Sequence, residues 1–490
     1  MRFLACVAAV ALLTGCATTE TRVESMTGEP AAAVKTTPAA DFSAYLDRDP
    51  LLPDYQRIEF DNGLVLLLLE KPEVPLVGFE AVLRGGAVAD PIGKEGTASL
   101  LAELLRKGAG DRDAGEFAAT VEGVGGALNT GAGLESLRIS GGFLAKDAEL
   151  AVSLLADMLL RPHLDAAEFG KLRDRSIQFI KAAKDGSPNQ LLPYYSAGFV
   201  FGDHPYGRPS SGTETSLAGL SVGDVRDFYS DHFGADRVIL AVAGDFDAKR
   251  MVSMLRDAFA DWKPATAALP AYDAAPAVTG DRVFLIDKPD ATQTYFWMGN
   301  IGVSKYYPQR APLALTNTVF GGSFTSMLNT ELRIKSGLTY GARSTVRQPR
   351  RKGSIGISSF TATETTVDAM DLALETLDRL HNDGLTEQQI LSAKSYILGQ
   401  FPLGFETARQ LARQAAQLEF YNLERDWINA YAGQIVATDQ DDTGAVIDEV
   451  YPQRNQLVYV LIGNAAAIRD AVSKYGQITE ISITEPRFKP

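Results

Sequence analysis

Gly93-Lys-Glu-Gly-Thr-Ala-Ser-Leu-Leu-Ala-Glu-Leu-Leu-Arg-Lys-Gly108 is the stretch on which the reading of this chain turns. Leucines at 100, 101, 104 and 105 follow the i, i+1, i+4, i+5 rhythm of a helix buried along one face. A helix is predicted over residues 97–107, with Gly108 as its stop. Upstream, Arg57-Ile-Glu-Phe-Asp-Asn-Gly-Leu-Val-Leu-Leu-Leu-Leu69 reads as two strands joined at Asn62-Gly63, and residues 76–83 as a third. Downstream come a strand over 137–141, helices over 148–160 and 165–184, and a helix opened by the capping box Ser221-Val-Gly-Asp224. Val238-Ile-Leu-Ala-Val-Ala-Gly244 is a buried strand.

The same order of elements then returns. Val283-Phe-Leu-Ile286 precedes Lys288-Pro289 as Leu66 to Leu69 precede Lys71-Pro72. A strand at 294–298 leads to a helix near 310–319, and Thr386-Glu-Gln-Gln389 opens a long helix as Asp165 does in the first half. Val458-Tyr-Val-Leu-Ile-Gly463 echoes the strand at 238–244. Two halves of about 210 residues with one programme imply an internal duplication. The expected fold is α+β: two homologous αβ domains, each a mixed or antiparallel sheet packed with helices, forming a half-shell. Pro264, Pro270 and Pro276 place a linker at 266–280, between domains at 49–265 and 281–490.

Composition fits a folded protein of several domains: 490 residues, 46% apolar and 22% charged. A formal net charge of −14 supplies no field for phosphates and argues against nucleic acid as a partner. At the N-terminus, Met1-Arg2 and the apolar run 3–13 read as a signal peptide, too short to span a bilayer as a helix. Leu13-Thr14-Gly15-Cys16 looks like a bacterial lipobox, so residues 1–15 are expected to be removed and Cys16 lipidated. Cys6 would leave with the signal, and no disulfide would remain. Ala17 after the cysteine points, by resemblance to Gram-negative lipoproteins, to the outer membrane facing the periplasm. Residues 16–48, rich in Thr, Ala, Glu and Pro, are expected to be a flexible tether.

Several segments in order resemble the pitrilysin/insulinase-type peptidases, or inverzincins, whose zinc helix carries H-x-x-E-H. They are Asp90-Pro-Ile-Gly-Lys94 leading into the 97–107 helix, His204-Pro-Tyr-Gly207, Phe228-Tyr-Ser-Asp-His-Phe233, Gly321-Gly322-Ser323, Glu331-Leu332-Arg333 and Gly337-Leu338-Thr339-Tyr340. The resemblance covers nearly all of residues 55–465. At the motif itself the chain departs from the family. The five positions read Ser99-Leu100-Leu101-Ala102-Glu103, and the later helix that carries the family's third ligand has Phe179, or with a slip Gln178, at that place.

A catalytic zinc needs three protein ligands and an open position for water, with the motif glutamate activating that water. Ser99 is a poor neutral ligand, Ala102 cannot take a proton, and Glu103 stands alone. The four histidines, His163, His204, His232 and His381, have no metal-ligand spacing. The chain is therefore expected to bind no metal itself.

By residue type alone, Arg333 reads as a surface helix residue and Tyr340 as an aromatic at a strand start. The resemblance implies more: seven apart, they match an arginine/tyrosine pair of the family's C-terminal halves that reaches a zinc site on the opposing half or subunit. The implied function is a non-catalytic subunit of a heteromeric periplasmic zinc peptidase. Its partner, a zinc-bearing homologue or a second copy of this chain, would hold the metal, and peptides would be the substrates. A scaffold or peptide-binding lipoprotein without peptidase role is the alternative, and an autonomous metallopeptidase a third.

Overall fold

The computed structural model describes residues 41–275, 278–279 and 282–490. The N-terminal segment with Cys6, Cys16 and the lipobox lies outside the described residues. Residues 41–48, at the end of the segment read as a tether, include a helical turn, Ser43–Leu46, and Phe42 and Tyr45 pack against the second of two main cores.

Among the described residues, twelve strands form two six-stranded sheets. The first holds β1 (Gln56–Glu59), β2 (Val65–Glu70), β3 (Leu76–Arg84), β4 (Ala127–Ala132), β5 (Ser136–Leu144) and β6 (Val238–Gly244). Its spatial order is β1-β2-β6-β3-β5-β4, mixed because β2 and β6 run parallel while the other pairs are antiparallel. The second holds β7 (Arg282–Asp287), β8 (Gln293–Ile301), β9 (Arg343–Val346), β10 (Ser354–Ala362), β11 (Val458–Gly463) and β12 (Gln477–Ser482), in the order β12-β7-β11-β8-β10-β9. Setting β2, β6, β3, β5 and β4 against β7, β11, β8, β10 and β9 superimposes the two connectivities, the pattern expected of a duplication. The edges differ. β1 precedes its neighbour and pairs antiparallel, whereas β12 follows and pairs parallel.

Both faces of the central strands are covered, which explains the continuous apolar runs. In β2, Leu66 and Leu68 enter the core shared with Leu100, Leu101 and Leu104, while Val65, Leu67 and Leu69 point to a separate core on the other face. That opposite face is closed by a helix from the other half of the chain, Ala408–Tyr421, through Leu411, Ala412, Ala415 and Leu418. Helix and sheet approach so closely that a Cβ at Gly78 on β3 would stand 2.5 Å from the Arg409 amide nitrogen. The second sheet receives the reciprocal cover. Helix Leu192–Phe201 of the first half lays Tyr195 and Phe199 on Phe284 of β7, with ring centres 6.0 and 5.2 Å apart. The two halves thus exchange one helix each, and neither sheet is fully buried without the other half.

Candidate functional site

The 93–108 stretch forms a helix at Thr97–Leu104, shorter than predicted, with turns carrying the chain to Gly108 at φ +102°. Its start is fixed by Asp90. The two carboxylate oxygens accept from the Gly96 and Ala98 amides, each at 2.8 Å, satisfying donors that a helix N-terminus leaves open. Burial pushes the Asp90 carboxyl up to about 7, against the opposing pull of those two amide hydrogen bonds. Leu100, Leu101 and Leu104 bury the inner face.

The motif positions are engaged in other contacts. Ser99 Oγ donates to the Ser210 carbonyl at 2.7 Å. Ala102 is fully buried and offers only a methyl group. Glu103, at the surface, forms an ion pair with Arg175 of helix Ala166–Gly186. Phe179, one turn beyond Arg175, is 55% exposed. A guanidinium thus bridges the two helices on which the family's ligand positions fall. One carboxylate already paired with arginine, one hydroxyl, one methyl and one phenyl do not make a zinc site. Among the described residues, no group of three or more His, Cys, Asp or Glu is placed to hold a metal ion. The histidines serve locally: His163 Nε2 is 2.8 Å from the Gly110 carbonyl oxygen, and His204 Nδ1 accepts from the Tyr206 amide at 3.1 Å. His381 is enclosed with neither ring nitrogen hydrogen-bonded.

In the second half, Arg333 and Tyr340 come together. Arg333 lies in a π-helical turn, Thr330–Lys335, a wider winding often found at functional positions. Leu332 is fully buried and anchors the turn, and the Thr339 amide donates back to the Leu332 carbonyl at 3.1 Å. Gly337 takes the φ of +67° that lets the chain reverse. Flanking Tyr340, Thr339 is buried, and the Thr361 hydroxyl donates to the Leu338 carbonyl at 2.6 Å. The backbone is therefore tied down while the Tyr340 ring stands 76% exposed.

The Arg333 guanidinium carbon lies 4.6 Å from the Tyr340 ring centre and 4.7 Å from that of Phe324, itself 62% exposed. No acidic side chain pairs with Arg333 among the described residues. Two rings hold the cation by their faces, which fixes its plane and leaves its N–H donors open. Sequence reasoning missed Phe324; its place just after Gly321-Gly322-Ser323 was the available signal. The pair can offer one phenolic and several guanidinium donors to a carbonyl or carboxylate oxygen.

Two family models match in tandem: "Insulinase (Peptidase family M16)" over residues 66–214 and "Peptidase M16 inactive domain" over residues 219–397. The chain belongs to the M16 peptidases, the pitrilysin/insulinase family. An uncharacterized zinc protease of Mycobacterium leprae is 29% identical over 312 residues, covering 64% of this chain and 70% of its own. Another from Bacillus subtilis is 25% identical over 407 residues, covering 78% and 96% respectively. Among solved structures, an M16 inactive domain from Pseudomonas fluorescens matches with a TM-score of 0.78 at 22% identity, over 84% of this chain and 98% of that one. A protease from Helicobacter pylori matches with a TM-score of 0.77 at 20% identity, over 84% and 100%. These likenesses extend the two-domain fold over nearly all of the described residues.

Proposed function

We propose that this M16 chain is the non-catalytic subunit of a heteromeric zinc peptidase, lending Arg333 and Tyr340 to a partner that carries an intact H-x-x-E-H. The observation that carries the reading is the contrast between its two candidate sites. Ser99, Ala102 and Glu103 are committed to a backbone hydrogen bond, packing and an ion pair, and Phe179 offers only a phenyl ring, whereas Arg333 and Tyr340 are adjacent, reach solvent and have no acidic partners among the described residues. An exposed Phe324, Tyr340 and Ile334 around an unpaired guanidinium suit a surface that closes against a second subunit or a bound peptide.

In this reading the chain is one half-shell, and substrates are peptides or unfolded segments enclosed between two half-shells. Tyr340 donates a hydrogen bond to the carbonyl oxygen on which negative charge develops during hydrolysis. Arg333 holds neighbouring backbone carbonyls of the peptide. Donors aimed at developing charge act on the rate rather than on ground-state affinity. The metal belongs to the partner. Cys16 would anchor the chain by lipid to the outer membrane, facing the periplasm; among the described residues no helix is long and apolar enough to cross a membrane.

The test is to co-express the chain with a homologue bearing H-x-x-E-H, isolate the complex and compare peptidase activity with and without this subunit. Activity that needs the subunit, and falls in the Arg333→Ala and Tyr340→Phe variants, supports the reading. A homologue that neither binds it nor gains activity from it contradicts the reading and favours a scaffold role.

A further inference from the structure

The halves of the chain meet at a cleft of about 680 Å³, a volume within the range of ligand sites. Its floor is the face of the second sheet bearing Trp297 of β8 and Ser358 of β10; its wall is the 192–201 helix of the first half, through Leu192, Ser196 and Ala197. The hairpin turn between β4 and β5 closes one end and meets the turn between β9 and β10. There Glu135 accepts from the Tyr206 hydroxyl at 2.5 Å and the Arg350 amide at 3.0 Å.

Charge distinguishes this cleft from the rest of the molecule. The chain carries a net −14, yet residues 332–363 contain seven cations and no Asp or Glu, and two of the seven, Arg343 and Arg347, line the cleft. β9 is an edge strand, paired with β10 alone. Arg343 and Thr345 alternate along it on one face, Arg347 follows directly after its end, and all three line the cleft. Neither arginine has an acidic partner among the described residues: Arg343 Nε donates only to Ser358 Oγ, at a long 3.4 Å. A third arginine of the lining, Arg138, sits 3.6 Å from Glu80. The lining carboxylate, Glu135, is occupied by tyrosines and a backbone amide.

A second cavity of about 310 Å³ shares Asn189, Leu192, Arg343 and Ser358 with the first and reaches Gly341, the residue after Tyr340. The two form a continuous groove leading from Arg347 to the neighbourhood of the Arg333/Tyr340 pair. Arginine forks fit planar carboxylates bidentately, and an edge strand offers unpaired amides and carbonyls to an extended chain.

We propose that this groove binds a peptide through its carboxylates, with Arg343 and Arg347 as the recognition residues, so that the substrate class is acidic peptides. The inference rests on the reading above only in taking a peptide as the ligand. Binding can be measured on this chain alone, so a failure of partner activation and a failure of carboxylate recognition are separable.

The experiment is fluorescence anisotropy with the full chain and three labelled eight-residue peptides: one with alternating Glu and a free C-terminus, its Gln counterpart, and the Gln counterpart amidated. Tighter binding of the Glu peptide by about tenfold or more, weakening with added salt, assigns side-chain carboxylates as the recognised group. Equal binding of the first two with loss on amidation assigns the C-terminal carboxylate instead and overturns the acidic-peptide class. Arg343→Gln and Arg347→Gln should each weaken binding about tenfold with an unchanged thermal midpoint, and Arg347→Lys should retain part of the affinity. The proposal is overturned if all three peptides bind alike or not at all, or if folded glutamine variants bind as the wild type does.

Discussion

The Arg333 guanidinium lies face-on to the Tyr340 ring at 4.6 Å, with Phe324 on it at 4.7 Å, so an exposed tyrosine and an unpaired arginine are held as one unit. Removing either ring should loosen the arginine without unfolding the domain, because all three side chains stand on the surface of an anchored turn. Phe324→Ala is expected to change the thermal midpoint little, since a cation–π contact at an exposed site is worth about 0.5–1 kcal/mol. In an active pair the same variant should lower kcat/KM by less than Arg333→Ala does. Parallel melting curves and steady-state kinetics check both expectations; a Phe324→Ala loss as large as that of Arg333→Ala would contradict the ordering.

Metal should be absent from the purified mature subunit. Glu103 is engaged by Arg175, and Ala102 offers no donor, so chelation should leave its melting curve unchanged. Elemental analysis together with melts in the presence of a chelator is the check. Stoichiometric zinc, or a midpoint that falls on chelation, would sink this expectation.

Gly78 tests the exchanged helices. Ala at this position would place a methyl carbon about where the backbone of Arg409 already lies. Overpacking of this kind costs about 1–3 kcal/mol. Gly78→Ala should therefore lower stability by that order, while Gly142→Ala, on β5 with open space around it, should cost less than 1 kcal/mol. Chemical denaturation of the two variants compares them directly, and equal losses would contradict the close approach of the 408–421 helix.

Asp90 sets a pH dependence. Its carboxyl is raised by burial from 3.8 to about 7, so between those values the folded chain holds a proton that the unfolded chain releases. The contribution of this group to stability is full below about pH 4 and is lost as pH rises through 7. Asp90→Asn, which cannot ionise, should flatten the stability profile over this window relative to the wild type. Denaturation midpoints taken at steps from pH 4 to 8 read the difference; parallel curves would contradict it.

Much of the fold is legible in the sequence because the central strands of each sheet are buried on both faces. The runs Leu66 to Leu69, Val238 to Gly244 and Val458 to Gly463 then stand out as unbroken apolar segments, and their order repeats. Strands with mixed character are harder to read. β4 is an edge strand whose Ala127-Leu-Asn-Thr-Gly-Ala132 lacks clear alternation, and β9 carries Arg343 and Thr345 toward the cleft. The exchange of helices 192–201 and 408–421 cannot be seen from periodicity, which says that a helix has an apolar face but not which sheet receives it. At the candidate site, the family resemblance singled out Arg333 and Tyr340 as a pair but could not supply Phe324, whose contact depends on the turn at 321–326. The pairing of Glu103 with Arg175 was equally hidden, since 72 residues separate them. The acid-free run at 332–363 was visible in composition alone, but it acquires meaning only when the fold sets it along a cleft.

The most direct measurement is kcat/KM of the reconstituted pair, wild type against Tyr340→Phe, on one peptide substrate. Loss of a single donor to developing charge costs about 2.7–4 kcal/mol, so a drop of about 100- to 1,000-fold in kcat with little change in KM is expected. An unchanged kcat/KM in a correctly assembled pair would contradict the claim that this chain contributes Tyr340 to a zinc site it does not itself possess.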